Sequence, residues 1–102
     1  MHFSPELREA VASGRITVSV RLWSRPKVKV GGRYPVLDTF FEVDDVELIP
    51  FSQITKADVK RAGEKDLESL RSRAAHAGPI HDDTLVHRIA FHVVRERGAH
   101  ED

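Results

Sequence analysis

Gly14-Arg15-Ile16-Thr17-Val18-Ser19-Val20-Arg21-Leu22-Trp23-Ser24-Arg25-Pro26 starts where a short helix should end and reads as a β-strand. Side chains alternate between the two faces of a strand. One face is then Ile16, Val18, Val20 and Leu22, and the other is Arg15, Thr17, Ser19, Arg21 and Trp23. An apolar side backed by hydroxyls, guanidiniums and an indole suits a strand that faces a ligand. It suits equally a half-buried strand with a solvated outer face, and periodicity leaves both open.

Upstream, Ser4-Pro5-Glu6 opens a helix over about residues 5–13. Ser4 can cap, Pro5 fits the first helical position, and Glu6 favours the positive end of the helix dipole. Gly14 suits the left-handed residue that closes it. The strand is expected over about residues 15–23, breaking near Pro26. Lys27-Val28-Lys29-Val30 alternates, Gly31-Gly32 marks a turn, and Arg33 to Val36 resumes as a strand that Pro35 assigns to an edge or a strand end. Thr39 to Ile49 is the longest β-like run. Its apolar phase slips from Phe41 and Val43 to Val46 and Leu48, which predicts a bulge or bend at Asp44-Asp45.

Two short helices follow. Thr55 with Asp58 forms a capping pair, Ile54 can staple to Val59, and Gly63 closes the first helix; Asp66 caps the second, with Leu67, Leu70 and Ala74 at helical spacing. Residues from His76 to Asp83 read as a loop, and Thr84 to Val94 as the final strand.

At 102 residues the chain is one domain, residues 1–102, with residues 1–3 and 96–102 expected to fray. There is no cysteine, which excludes a disulfide framework and cysteine-ligated zinc. No apolar run approaches membrane-spanning length and no signal-peptide pattern opens the sequence, so a cytoplasmic protein without a membrane partner is expected. The net charge of zero hides an asymmetry: residues 1–37 carry seven bases and two acids, residues 38–50 five acids and no base. Such segregation fits a basic patch that binds an anion, or neighbouring strands that pair their charges.

The order helix, strands, two helices, strand, with glycine 14 and arginine 21 at the spacing of glycine, any residue, lysine, four residues, arginine, resembles the ASCH domain family. The run from Arg21 to Pro26, Gly31-Gly32-Arg33-Tyr34, Ala62-Gly63-Glu64 and His87-Arg88-Ile89-Ala90-Phe91 resemble a subgroup of small bacterial members. The resemblance implies an α+β fold: a small PUA-like β-barrel of about five to six strands, with an N-terminal helix and a short helix pair before the last strand. It implies RNA or nucleotide binding. Relatives of this size hydrolyse the acetyl amide of N4-acetylcytidine with a lysine, a threonine and a glutamate. Ser19 stands at the threonine position and Glu64 near the glutamate, but Ile16 occupies the lysine position. An activated hydroxyl needs a neighbour to take its proton, and the guanidinium of Arg15 stays protonated.

The residues and the resemblance together set the expected site. Ser19, Arg21 and Glu64 form its centre; Arg21 can hold a phosphate or carbonyl through paired hydrogen bonds, and Glu64 can approach that arginine or a base amine. A salt bridge tying the helices to the sheet is the structural alternative for Glu64. Arg15, Thr17, Trp23, Arg25 and Lys27 are further candidate ligand contacts, with Trp23 either a stacking platform or a core residue. His76, His81, Asp82, Asp83 and His87 match no zinc spacing, so neither a metal nor another cofactor is expected. The expected function is an RNA- or nucleotide-binding domain with its cleft beside Arg21. The alternatives are a hydrolase of a modified nucleoside or of RNA, using Ser19 and Glu64, and a protein-interaction domain. Nothing in the sequence fixes the oligomeric state.

Overall fold

The computed structural model describes residues 1–75 and 78–94. Its elements run α1 (Pro5–Ala12), β1 (Val18–Arg21), β2 (Arg33–Val36), β3 (Thr39–Pro50), a 3-10 turn (Phe51–Gln53), α2 (Lys56–Arg61), α3 (Leu67–Ala74) and β4 (Leu85–Val94). The four strands form one antiparallel sheet in the order β1-β4-β3-β2. Among the described residues that is fewer than the five to six strands expected. β1 and β2 lie at opposite edges, and among the described residues no pairing between them closes the sheet into a barrel.

Both faces of the sheet are covered. Val18, Val20 and Val86 pack against Val59, Ala62, Leu70 and Ala74 of the helix pair. Phe41, Val43, Ile89 and Phe91 pack on the other face against Val11 of α1, with Phe3, Ile16 and Val28. A sheet that buries apolar side chains on both sides needs a layer on each, and the two helical segments supply them. Phe3, close to the start of the chain, is buried. Residues 96–102 lie outside the described residues.

Local chemistry accounts for the boundaries. In α2 the Thr55 hydroxyl accepts from the Asp58 N–H at 3.1 Å and the Asp58 carboxylate accepts from the Thr55 N–H at 3.0 Å, the reciprocal box foreseen in the sequence. Asp66 caps α3 through the Ser69 N–H. Ser4 stands at the N-cap of α1 but its side chain makes no capping bond. The β3–β4 register shifts between Val43 and Asp45, which keeps Phe41, Val43, Val46 and Leu48 on one face. β2 is an edge strand, as Pro35 requires.

Two expectations change. β1 is shorter than residues 15–23, because only Val18 to Arg21 ladder with β4. The alternation at Lys27–Val30 does not become a strand: the chain leaves β1 at one edge, must reach β2 at the other, and crosses the sheet with Val28 inserted into the core.

Candidate functional site

β1 is the edge strand beside the helix pair, so its side chains meet the loop between α2 and α3. A cleft of about 100 Å³ opens there, lined by Ser19, Arg21, Glu64 and Arg73 over an apolar wall that includes Phe3 and Ile16. One water needs roughly 10–15 Å³ of such space, so the cleft accommodates several waters or one small planar ring. Ser19, Arg21 and Glu64, brought together from the sequence, thus line one hollow.

Arg21 is held firmly. Its Nε donates to Ser19 Oγ at 2.7 Å and its Nη2 to the His2 carbonyl at 2.7 Å. The guanidinium lies 5.2 Å from the Phe3 ring centre and 5.9 Å from that of Trp23, within the range of cation–π attraction. Burial pushes its pKa below the ordinary arginine value. No carboxylate pairs with it among the described residues, whereas Arg71, Arg73 and Arg88 each bind two. A half-buried cation without a counter-charge is unfavourable unless something supplies one.

Glu64 does not reach Arg21. Its carboxylate, with 7% of the side chain exposed, pairs with Arg73 Nε. Arg73 also meets Glu6 of α1, Nη1 to Oε2 at 3.1 Å. The hydrogen bonds Arg73 donates to Glu6 and then to Glu64 raise its pKa. Arg73 is a cleft residue that the sequence did not reveal. Its partners lie nine and sixty-seven positions away, too far for any local pattern to join them.

The remaining candidates lie outside this hollow. Arg15 is exposed and donates to Ser13 Oγ at 3.2 Å. Thr17 serves through its backbone, its N–H donating to the Arg61 carbonyl and its carbonyl accepting from the Phe91 N–H. Trp23 is half-buried against the core, its ring 5.8 Å from that of His87. Arg25 and Lys27 are exposed on the crossing segment. His87 is buried, its Nδ1 has no hydrogen-bond partner among the described residues, and burial lowers its pKa. Among the described residues no group of three or more His, Asp or Glu side chains comes together as a metal site needs; His76 lies outside those residues.

Ile16 fills the space under the helix junction. It is buried, and a Cβ placed on Gly63 would come within 2.7 Å of its Cδ1. Ile16 lines the same cleft as Ser19 and, being apolar, cannot take a proton from its hydroxyl.

No family model matches the sequence, and no curated protein matches it. Solved structures do. The ASCH domain from Lactobacillus crispatus superposes with a TM-score of 0.69 at 18% identity, over 86% of this chain and 70% of that one. A protein of the DUF984 family from Enterococcus faecalis gives a TM-score of 0.69 at 19% identity, over 95% of this chain and 75% of that one. At such identities the likeness establishes the fold. No helix among the described residues is long and apolar enough to cross a membrane.

Proposed function

We propose that this chain, which has the fold of an ASCH domain, binds RNA or a free nucleotide in the cleft beside Arg21 and acts as a binding module. The observation that carries the reading is the unpaired, half-buried guanidinium of Arg21 on the wall of an open hollow. With Nε and one Nη2 hydrogen spent on Ser19 and His2, the remaining N–H groups are available to a phosphate or carbonyl oxygen. Ser19 Oγ accepts from Arg21, so its own hydrogen is left to donate to a ligand acceptor. The apolar wall suits the face of a base. The likeness to the ASCH fold, which the resemblance relates to PUA RNA-binding domains, supports the same class of ligand. Trp23, Arg25 and Lys27 extend the site along the crossing segment, where Arg21 lies against the Trp23 ring.

The surroundings of Ser19 favour binding over hydrolysis. A hydroxyl that accepts from a guanidinium is made less nucleophilic, not more. Among the described residues no carboxylate or imidazole takes its proton, Glu64 is engaged by Arg73, and Ile16 is apolar.

Titrating ribonucleoside monophosphates into nitrogen-labelled protein tests the site. Amide shifts are expected to gather at Ser19, Arg21 and Glu64. Shifts confined to the acidic residues of β3, or none at millimolar ligand, would overturn the reading.

A further inference from the structure

The cleft holds about 100 Å³, enough for one ring, while a groove of about 430 Å³ lies between α2 and α3. Glu64, in the loop that joins the helices, borders both hollows. The groove is floored by Ile54, Val59 and Leu67, and Leu67 is 37% exposed although apolar. Lys56, Lys60 and Lys65 stand around it.

The charges there are unbalanced in effect. Glu64 is taken up by Arg73, and Asp66 accepts from the Ser69 N–H. Lys65 sits beside Asp66, but Lys56 and Lys60 make no ion pair among the described residues. An apolar floor bordered by free ammonium groups matches a base face followed by a phosphate.

We propose that this groove is a second subsite of the same ligand: it takes the neighbouring nucleotide of a single strand whose first base occupies the Arg21 cleft. The inference rests on the nucleotide reading of that cleft. An acidic, apolar peptide would also match the lysines, but it gives no reason for the groove and the Arg21 cleft to share Glu64 as a border. The strand passes over the Glu64–Arg73 pair, its apolar contacts come from Leu67 and Val59, and its phosphate is met by Lys56 and Lys60.

Calorimetry on the whole chain, with the four ribonucleoside monophosphates and the four matching dinucleotides, separates the possibilities. A dinucleotide is expected to bind about tenfold tighter than its mononucleotide, the gain from one base face on Leu67 and Val59 and one phosphate at the lysines. In the Lys56→Ala/Lys60→Ala/Leu67→Ser variant, all on exposed positions, that gain disappears while mononucleotide affinity stays within about twofold of wild type. If wild type binds mononucleotides and gains nothing from the second nucleotide, the subsite is wrong and the cleft stands. If the variant weakens both ligands equally, the lysines act only as a diffuse field and the subsite is again wrong. If neither ligand binds, the cleft reading itself fails and the subsite with it.

Discussion

Arg21 Nε donates to Ser19 Oγ at 2.7 Å across one side of β1, and no carboxylate pairs with that guanidinium among the described residues. A charge placed this way adds little to folding, because its desolvation is not offset by a counter-ion. Replacing it with an apolar side chain of similar length should therefore leave stability unchanged or slightly raised. Arg21→Met is expected within about 1 kcal/mol of wild type in urea unfolding, with nucleotide binding lost. Ser19→Ala leaves an Arg21 N–H unpaired and should cost about 1–3 kcal/mol. A destabilised Arg21→Met with binding intact would make the pair structural.

Gly63 carries a φ of +79°, and an added Cβ would meet Ile16 Cδ1 at 2.7 Å. Gly63→Ala should cost about 1–3 kcal/mol through backbone strain and crowding together. Trimming Ile16 to valine removes Cδ1 but keeps Cγ1, 2.9 Å from the added Cβ, so it relieves part of the crowding and none of the backbone strain. The double variant Gly63→Ala/Ile16→Val is accordingly expected to be more stable than the sum of the two single changes, in a double-mutant cycle read by thermal unfolding.

Strong acid should weaken the fold where Asp58 sits. Burial alone would raise its pKa. Hydrogen bonds from the Thr55 backbone and from Arg88 outweigh this and hold it below the ordinary 3.8. A lowered folded pKa means stability that is complete above 3.8 and lost as pH falls from there toward the folded value. Asp58→Asn should remove this part of the acid transition. It should also cost about 2–4 kcal/mol at neutral pH, since the cap and the charged partner of Arg88 go together. Urea midpoints measured from pH 7 down to pH 2 check both.

His87 adds a second, higher step. Burial lowers its pKa from the ordinary 6.5, so the unfolded chain binds the proton more readily. Stability from the neutral ring is present above 6.5 and declines as pH falls below it. His87→Leu should flatten that part of the profile. Trp23, the only tryptophan, lies 5.8 Å from the imidazole, and its fluorescence reports the step directly.

The parts of the fold that sequence revealed are those set by local chemistry. Thr55 with Asp58, Asp66, the phase slip at Asp44-Asp45 and Pro35 each act within a few residues, and each stands in the structure as expected. What was hidden depends on which surfaces meet. Periodicity separates Val18 and Val20 from Ser19 and Arg21, but not that both sets are covered, one by the helix pair and one by the start of the chain. The alternation at Lys27–Val30 imitates a strand because Val28 is a single plug in a crossing segment. In the cleft, Ser19, Arg21 and Glu64 were legible from the resemblance. Arg73 was not, since an arginine paired with acids distant in sequence leaves no spacing to read.

The most direct test is the affinity of wild-type protein and Arg21→Ala for a short single-stranded RNA, measured across a range of salt concentrations. The wild type should bind with affinity that falls as salt rises, and Arg21→Ala should bind at least about tenfold more weakly, with a slope shallower by about one. Equal affinity and equal slope for the two proteins, or binding indifferent to salt, would contradict the assignment of this cleft to a nucleotide.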